Sequence, residues 1–278
     1  MIKQTEYEKN VLKEVSIWKQ PKEKNFLQRG ISVVTAPLNK AAELVIDSPY
    51  LGEVLTKSIS GLTTICNESA QTTVRFQAIY SDISRRSELT VSELSDIEKV
   101  NLPVLDKASS GLLPKYVAIA ATEGGGTGAL GLPGMVIDIP SLILINFRAI
   151  GEYATYYGFD IELQEEKIYI LNILSLASAP TDQAKHVAMA QLAKIATQVA
   201  KKQTWKELEQ LFFVNMIKKM AEALGIRLTK AKLAQTVPVL GAFVGAGFNA
   251  YYTEKVCNAA YFLYRERFLA RKYNLEIK

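Results

Sequence analysis

The sequence predicts an all-α protein, a compact multi-helix single domain whose centre is a glycine-rich, interrupted helical region. Three observations carry this expectation. Apolar residues recur at spacings of three and four, and nothing reads as alternating strand and helix units. Thr90-Val-Ser-Glu93 and Thr204-Trp-Lys-Glu207 are capping-box patterns, in which a Thr hydroxyl bonds the amide three residues on while the Glu reaches back. The chain has 278 residues with 49% hydrophobic content, enough to fill one large interior.

In chain order, Tyr7, Val11, Val15 and Trp18 set an amphipathic first helix that Pro21 closes. Residues 38–67 give two further helical stretches separated near Pro49. The box at Thr90 marks another start. Later helices are expected at about 164–178, 183–201, 205–224 and 239–272, punctuated by Pro180 and Gly225. Tyr156-Tyr157-Gly-Phe159-Asp160 reads as a helix end with Gly158 left-handed and aromatics over the core edge. No internal repeat is evident. One domain is expected over residues 1–278, with N-terminal helices in 1–100 and the glycine-rich core and C-terminal helices in 101–278.

The most informative stretch runs from Thr122 to Pro140. It is apolar, holds six glycines within residues 124–134, and carries two isolated carboxylates, Glu123 and Asp138. Its glycines with Pro133 and Pro140 are expected to defeat a continuous helix. Ionisable groups in apolar surroundings need a partner or a ligand. Asp138 suits the N-cap of a helix starting near Ser141. Glu123 and Arg148 have no such local explanation. They form either a structural ion network or, with Asp138, the polar lining of a site capable of general acid and base chemistry.

Gly126-Thr-Gly-Ala-Leu-Gly131 matches a dinucleotide fingerprint and follows Tyr116-Val-Ala-Ile-Ala-Ala121, which passes for a strand. Pro133 and Pro140 would cripple the helix such a site requires, so no cofactor is expected. On the last helix Gly241, Gly245, Asn249, Thr253 and Cys257 recur every four residues, a spacing of small side chains that lets a second backbone approach. Gly124, Gly128, Gly131 and Gly134 supply the expected facing surface. The groove between them is read as tight packing or, more sharply, as a channel for a lipid chain.

Net charge is +5, unevenly spread. Residues 185–232 hold ten Lys or Arg against three Glu. Lys201, Lys202, Lys218, Lys219, Lys230 and Lys232 are the candidate membrane-facing set, since cations near an anionic leaflet contribute about 1 kcal/mol each. A solvated helix face is the bland alternative, and no nucleic-acid signature is present. Residues 233–253 are uncharged; their polar residues and glycines make them a buried hairpin or an interfacial segment rather than a span. Cys66 and Cys257 are far apart, which suggests reduced core thiols. His186, the single histidine, sits among lysines, so a catalytic triad or zinc site is not expected and no metal is assigned.

Thr122-Glu-Gly with Gly128, Gly131-Leu-Pro-Gly134, Asp138-Ile-Pro140, Arg148 and Tyr157-Gly-Phe-Asp160 together resemble the EcsC family. Pro238-Val-Leu-Gly-Ala-Phe-Val-Gly-Ala-Gly-Phe-Asn249 and Tyr264-Arg-Glu-Arg-Phe-Leu269 look like its C-terminal motif. The resemblance implies that family's fold and a neighbourhood beside ABC transporter genes; it implies no reaction. The expected protein is cytoplasmic and peripheral on the inner face of the membrane. It binds an anionic membrane surface, a lipid or another hydrophobic partner, in support of an ABC transport system. The alternative is a hydrolase of lipid or peptide using Glu123, Asp138 and Arg148.

Overall fold

The computed structural model describes residues 3–20, 49–67, 74–128, 131–179, 189–190, 193, 218, 220–221, 224–226, 228–229 and 241–277. Among these, every regular element is helical. In chain order they are α1 (Glu6–Lys19), α2 (Pro49–Asn67), α3 (Phe76–Arg86), α4 (Leu94–Ile97), α5 (Leu102–Ser109), α6 (Leu112–Gly128), α7 (Gly131–Tyr156), α8 (Gln164–Ala177) and α9 (Gly241–Tyr273).

α1 begins with a capping box that lies well before the two read from sequence. Glu8 N–H donates to Thr5 Oγ1 at 3.2 Å while the Thr5 amide donates to Glu8 Oε2 at 2.8 Å. Val11 and Val15 are buried and Trp18 stacks on Phe262, as the amphipathic spacing predicts. The box expected at Thr90–Glu93 forms three residues later instead, with Glu93 as N-cap of α4 and Asp96 as its reciprocal partner. The displacement has a cause. The Glu93 amide that Thr90 would have to hold donates to Asp96 Oδ2 at 3.3 Å, and Val91 is a core residue whose amide is taken by Ser84 Oγ at 2.8 Å.

α6 and α7 form an antiparallel hairpin, for Thr127 meets Asp138 near its tip and Lys115 meets Glu152 near its base. α9 lies along both and packs most extensively on α6. It runs parallel to α7, since Asn146 bonds Thr253, Tyr153 faces Tyr261 and Tyr157 faces Phe268 in the same order along both helices. α2 covers α7, α8 packs on α7 and α9, and α1 lies on α9.

The glycine run is not spanned by one helix, as its composition leads one to expect: α6 ends at Gly128 and α7 starts at Gly131. Residues 124–126 are helical within α6, and α7 continues through Pro140. Residues 116–121 are helical too, which removes the strand that a dinucleotide fold needs. Glycine costs a helix up to about 1 kcal/mol relative to Ala, and Pro140 forfeits the bond to the Val136 carbonyl. Packing outweighs both: Tyr116, Ala120, Val136, Ile139, Leu142 and Ile143 are all buried.

α7 ends as its sequence predicts. Gly158 has φ +74°, the Phe159 amide returns to Ala154 O at 2.9 Å, and the Gly158 amide to Thr155 O at 3.0 Å. This is a Schellman closure. Arg271 on α9 caps the carbonyls of Tyr157 and Gly158 at 3.0 and 2.8 Å. The helices expected at 183–201 and 205–224 fall largely outside the described residues, as do Pro180, His186 and the Thr204–Glu207 box.

Candidate functional site

The two glycine-bearing zones meet. At their junction Asp138 is buried inside α7 rather than capping a helix start. It receives Thr127 Oγ1 from α6 at 2.5 Å and Asn249 Nδ2 from α9 at 2.9 Å. Thr127 Oγ1 also lies 3.0 Å from Glu123 O, one turn back on α6. Two turns along α7, Asn146 donates to Thr253 Oγ1 at 3.1 Å and to Leu142 O at 2.8 Å. Asn249 and Thr253 are both fully buried. A polar seam thus runs between α7 and α9 through otherwise apolar packing. Hydrogen bonds here are made in a low-dielectric interior, which raises the cost of losing either partner.

Of the other two candidate charges, Glu123 is half-buried, and its Oε2 is a buried acceptor without a partner among the described residues. Arg148 is elsewhere. Ten residues past Asp138 on one helix place it about 15 Å along the axis, where its Nε faces Glu152 Oε1 at 3.9 Å. Lys115 holds the other oxygen of Glu152 at 2.6 Å. Glu123 and Asp138 therefore lie near one junction, and Arg148 belongs to a separate ion cluster.

Of the proposed groove, Gly124 and Gly134 are buried. Gly128, Gly131, Gly241 and Gly245 lie in helices, but the structure does not describe their surroundings. Of the basic set, Lys218 is exposed; Lys201, Lys202, Lys219, Lys230 and Lys232 fall outside the described residues. Cys66 and Cys257 are free and buried, and burial pushes each thiol up to about 12. Among the described residues no group of His, Cys, Asp or Glu is arranged to hold a metal ion.

Sequence reasoning missed two buried ion networks on the second half of α9. Arg265 pairs with Asp106 at 2.9 Å and with Glu14 at 3.0 Å. Tyr7 and Tyr157 donate to the same Asp106 carboxylate at 2.6 and 2.7 Å. Burial, then the Asp106 charge, pushes the Tyr157 hydroxyl well above its usual range. Arg267 makes a two-pronged pair with Glu166 at 2.7 and 2.8 Å, and its guanidinium lies 4.1 Å from the Phe159 ring centre and 4.0 Å from that of Tyr169. Tyr264 adds a bond to Glu166 at 2.6 Å. The first ties α9 to α1, α5 and the close of α7, and the second ties it to α8. The available signal was the pair of arginines in Tyr264-Arg-Glu-Arg267, too charged for an otherwise buried helix face.

No helix of the described residues is long and apolar enough to cross a membrane. Large apolar side chains nonetheless stand exposed on all three central helices: Ile119 on α6, Ile137 on α7 and Tyr251 on α9.

The model of the EcsC protein family matches residues 9–269. The chain is 26% identical to the uncharacterised protein YdbA of Bacillus subtilis (strain 168) over 271 residues, spanning 92% of this chain and 90% of that protein. It is 25% identical to protein EcsC of the same organism over 158 residues, 55% of this chain and 59% of that protein. No solved structure matches it.

Proposed function

The chain belongs to the EcsC protein family, and from that premise we propose that it associates reversibly with an anionic membrane surface, binding lipid or another hydrophobic partner there. One observation carries the reading. Ile119, Ile137 and Tyr251 remain exposed on the helices whose inner faces build the core, and each leaves apolar area that a lipid or hydrophobic partner would cover. The basic balance of residues 185–232 supports the same conclusion, since it would add electrostatic attraction to anionic headgroups. The protein partner we propose is a component of an ABC transport system, in line with the neighbourhood that the family resemblance implies.

The competing hydrolase reading asks Glu123, Asp138 and Arg148 to converge on one substrate. The geometry argues against it: Asp138 is enclosed by Thr127 and Asn249, and Arg148 faces Glu152. Flotation with vesicles of phosphatidylcholine and phosphatidylglycerol tests the proposal. Co-flotation at low salt that weakens at high salt is expected; folded protein left at the bottom of the gradient at low salt removes it.

A further inference from the structure

Among the described residues α1 is attached to the rest of the chain by side chains alone, since the backbone of residues 5–20 bonds only within that stretch. Of its 14 residues only Glu8, Val11 and Val15 are buried, and Trp18 stacks on Phe262 with ring centres 5.2 Å apart. The other fastenings are polar. Glu8 accepts from Lys272 at 2.8 Å and from Tyr273 at 2.7 Å, and Glu14 accepts from Arg265 at 3.0 Å. Lys19 donates to Glu266 at 2.6 Å, and Tyr7 to Asp106 at 2.6 Å. All of these but the last land on α9.

Two valines are a small apolar seat for such a helix, and a helix of this length is marginal when it stands alone. Ion pairs that reach water add little and give way to competing ions. Glu14 is 56% exposed where it meets Arg265, while Lys272 and Lys19 are 24% and 20% exposed. α1 is thus docked on the core rather than built into it.

Undocking would take Glu8 from Lys272 and Glu14 from Arg265, leaving two cations on α9 beside the rings of Tyr261, Phe262 and Tyr273. Against them stands Glu266, which would lose Lys19. Undocking would also free the face of α1 on which Val11, Val15 and Trp18 follow at spacings of four and three. α1 is charge-balanced, with Lys9, Lys13 and Lys19 against Glu6, Glu8 and Glu14. Its grip on an interface would therefore come from the apolar stripe and its tryptophan, and the attraction to anions from the uncovered seat.

We infer that α1 is a strap with two positions: docked on α9 in the free protein, and released at an anionic phospholipid surface. There α1 lies in the interface, and headgroup phosphates replace Glu8 and Glu14 at Lys272 and Arg265. The inference rests on the membrane association proposed above and names the element that changes place. A ligand shifts such an equilibrium only through its greater affinity for one of the two states. A leaflet has that preference because it serves both halves at once, with an apolar boundary for α1 and phosphates for the seat. A partner helix would fill the seat and leave Val11, Val15 and Trp18 in water.

A reversible staple tests this. In a variant carrying both Lys19→Cys and Glu266→Cys, at side chains that meet in the parent, a bis-maleimide with a reducible spacer joins α1 to α9. The native thiols are 2% and 0% exposed and do not compete for it. With the same vesicles, the stapled protein is expected to stay at the bottom of the gradient and to float once the spacer is reduced. Glu8→Gln, which loosens the strap, should raise vesicle partitioning of the otherwise unmodified chain about fivefold. Glu6→Gln makes the same change of charge on the same helix at a side chain 83% exposed and paired only with Lys9 among the described residues, and should raise it far less. Circular dichroism melts establish that each variant is folded.

Equal flotation of stapled and reduced protein overturns the inference and leaves the membrane association standing, as does an equal gain from Glu6→Gln and Glu8→Gln. Absence of flotation by the folded parent overturns that association and the inference with it. Staples that join two molecules rather than closing within one assign the seat to α1 of a second copy and overturn the inference as well.

Discussion

Asp138 on α7 receives the side-chain amide of Asn249 at 2.9 Å across 111 residues of sequence. The bond locks the glycine-bearing hairpin to the last helix, and Thr127 completes the arrangement from α6. Asn249→Ala is expected to lower stability by about 2–3 kcal/mol, because it strips a donor from a buried carboxylate. Thr127→Ala should cost about 1 kcal/mol. Urea unfolding measures both, and the double variant should fall short of additivity by about 1 kcal/mol because the two donors share one acceptor. Losses that simply add would mean that the groups act independently.

The Glu166–Arg267 pair is fully enclosed, with both side chains 3% exposed. Arg267→Ala leaves that carboxylate stranded and is expected to cost about 3–5 kcal/mol, whereas removing both charges with apolar residues of similar volume should be close to neutral. Chemical denaturation of the single and double variants decides it. Tyr264→Phe removes one donor from the same carboxylate and should cost about 1 kcal/mol.

Glu8 makes stability depend on pH. Burial opposes its ionised form, but hydrogen bonds from Lys272, Tyr273 and Thr5 outweigh that and hold the carboxyl at about 2. A carboxyl depressed in the folded state contributes fully above its ordinary value near 4.5. The contribution fades as pH falls through that value toward 2. Discounted for the solvent that reaches Lys272, it amounts to about 1 kcal/mol. Glu8→Gln should therefore show a smaller fall in melting temperature than the parent between pH 5 and pH 2; identical slopes would contradict this.

Two glycines should respond in opposite directions. Gly126→Ala adds a methyl group to a helix where nothing lies within 4 Å, and should stabilise by about 0.5–1 kcal/mol. Gly158→Ala forces a side chain into φ +74° against Ile97 Cβ at 3.2 Å, and should cost about 1–3 kcal/mol. Thermal melts of the two variants check the signs.

How much of this was legible in the sequence follows from how far each interaction reaches. The helical class, the first helix on Val11, Val15 and Trp18, and the left-handed Gly158 are set by neighbours within a few residues, and the structure agrees with each. Asp138 looked like a helix cap because its local context suits one. Its actual partner on α9 is 111 residues away. Glu166 and Arg267 are separated by 101 positions, and no periodicity announces such a pair. The break expected in the glycine run falls between Gly128 and Gly131, but Pro140 misled for a related reason: propensity argued for a second break there, and the buried contacts of α7 overrode it. Of the three candidate charges, Glu123 and Asp138 fall near one junction while Arg148 does not, since helical rise carries it beyond reach.

The placement of α9 also bears on how the chain acquires its shape during synthesis. Arg265, Arg267, Arg271 and Lys272 fasten this helix to partners on α5, α8, the close of α7 and α1, so the hub of the molecule is the last described helix to leave the ribosome. Earlier helices must wait with their inner faces uncovered, a topology that slows folding and invites chaperone capture. A chain cut before Gly241 is accordingly expected to be protease-sensitive throughout, and a trypsin-resistant truncated product would show that the remaining helices can close without their hub.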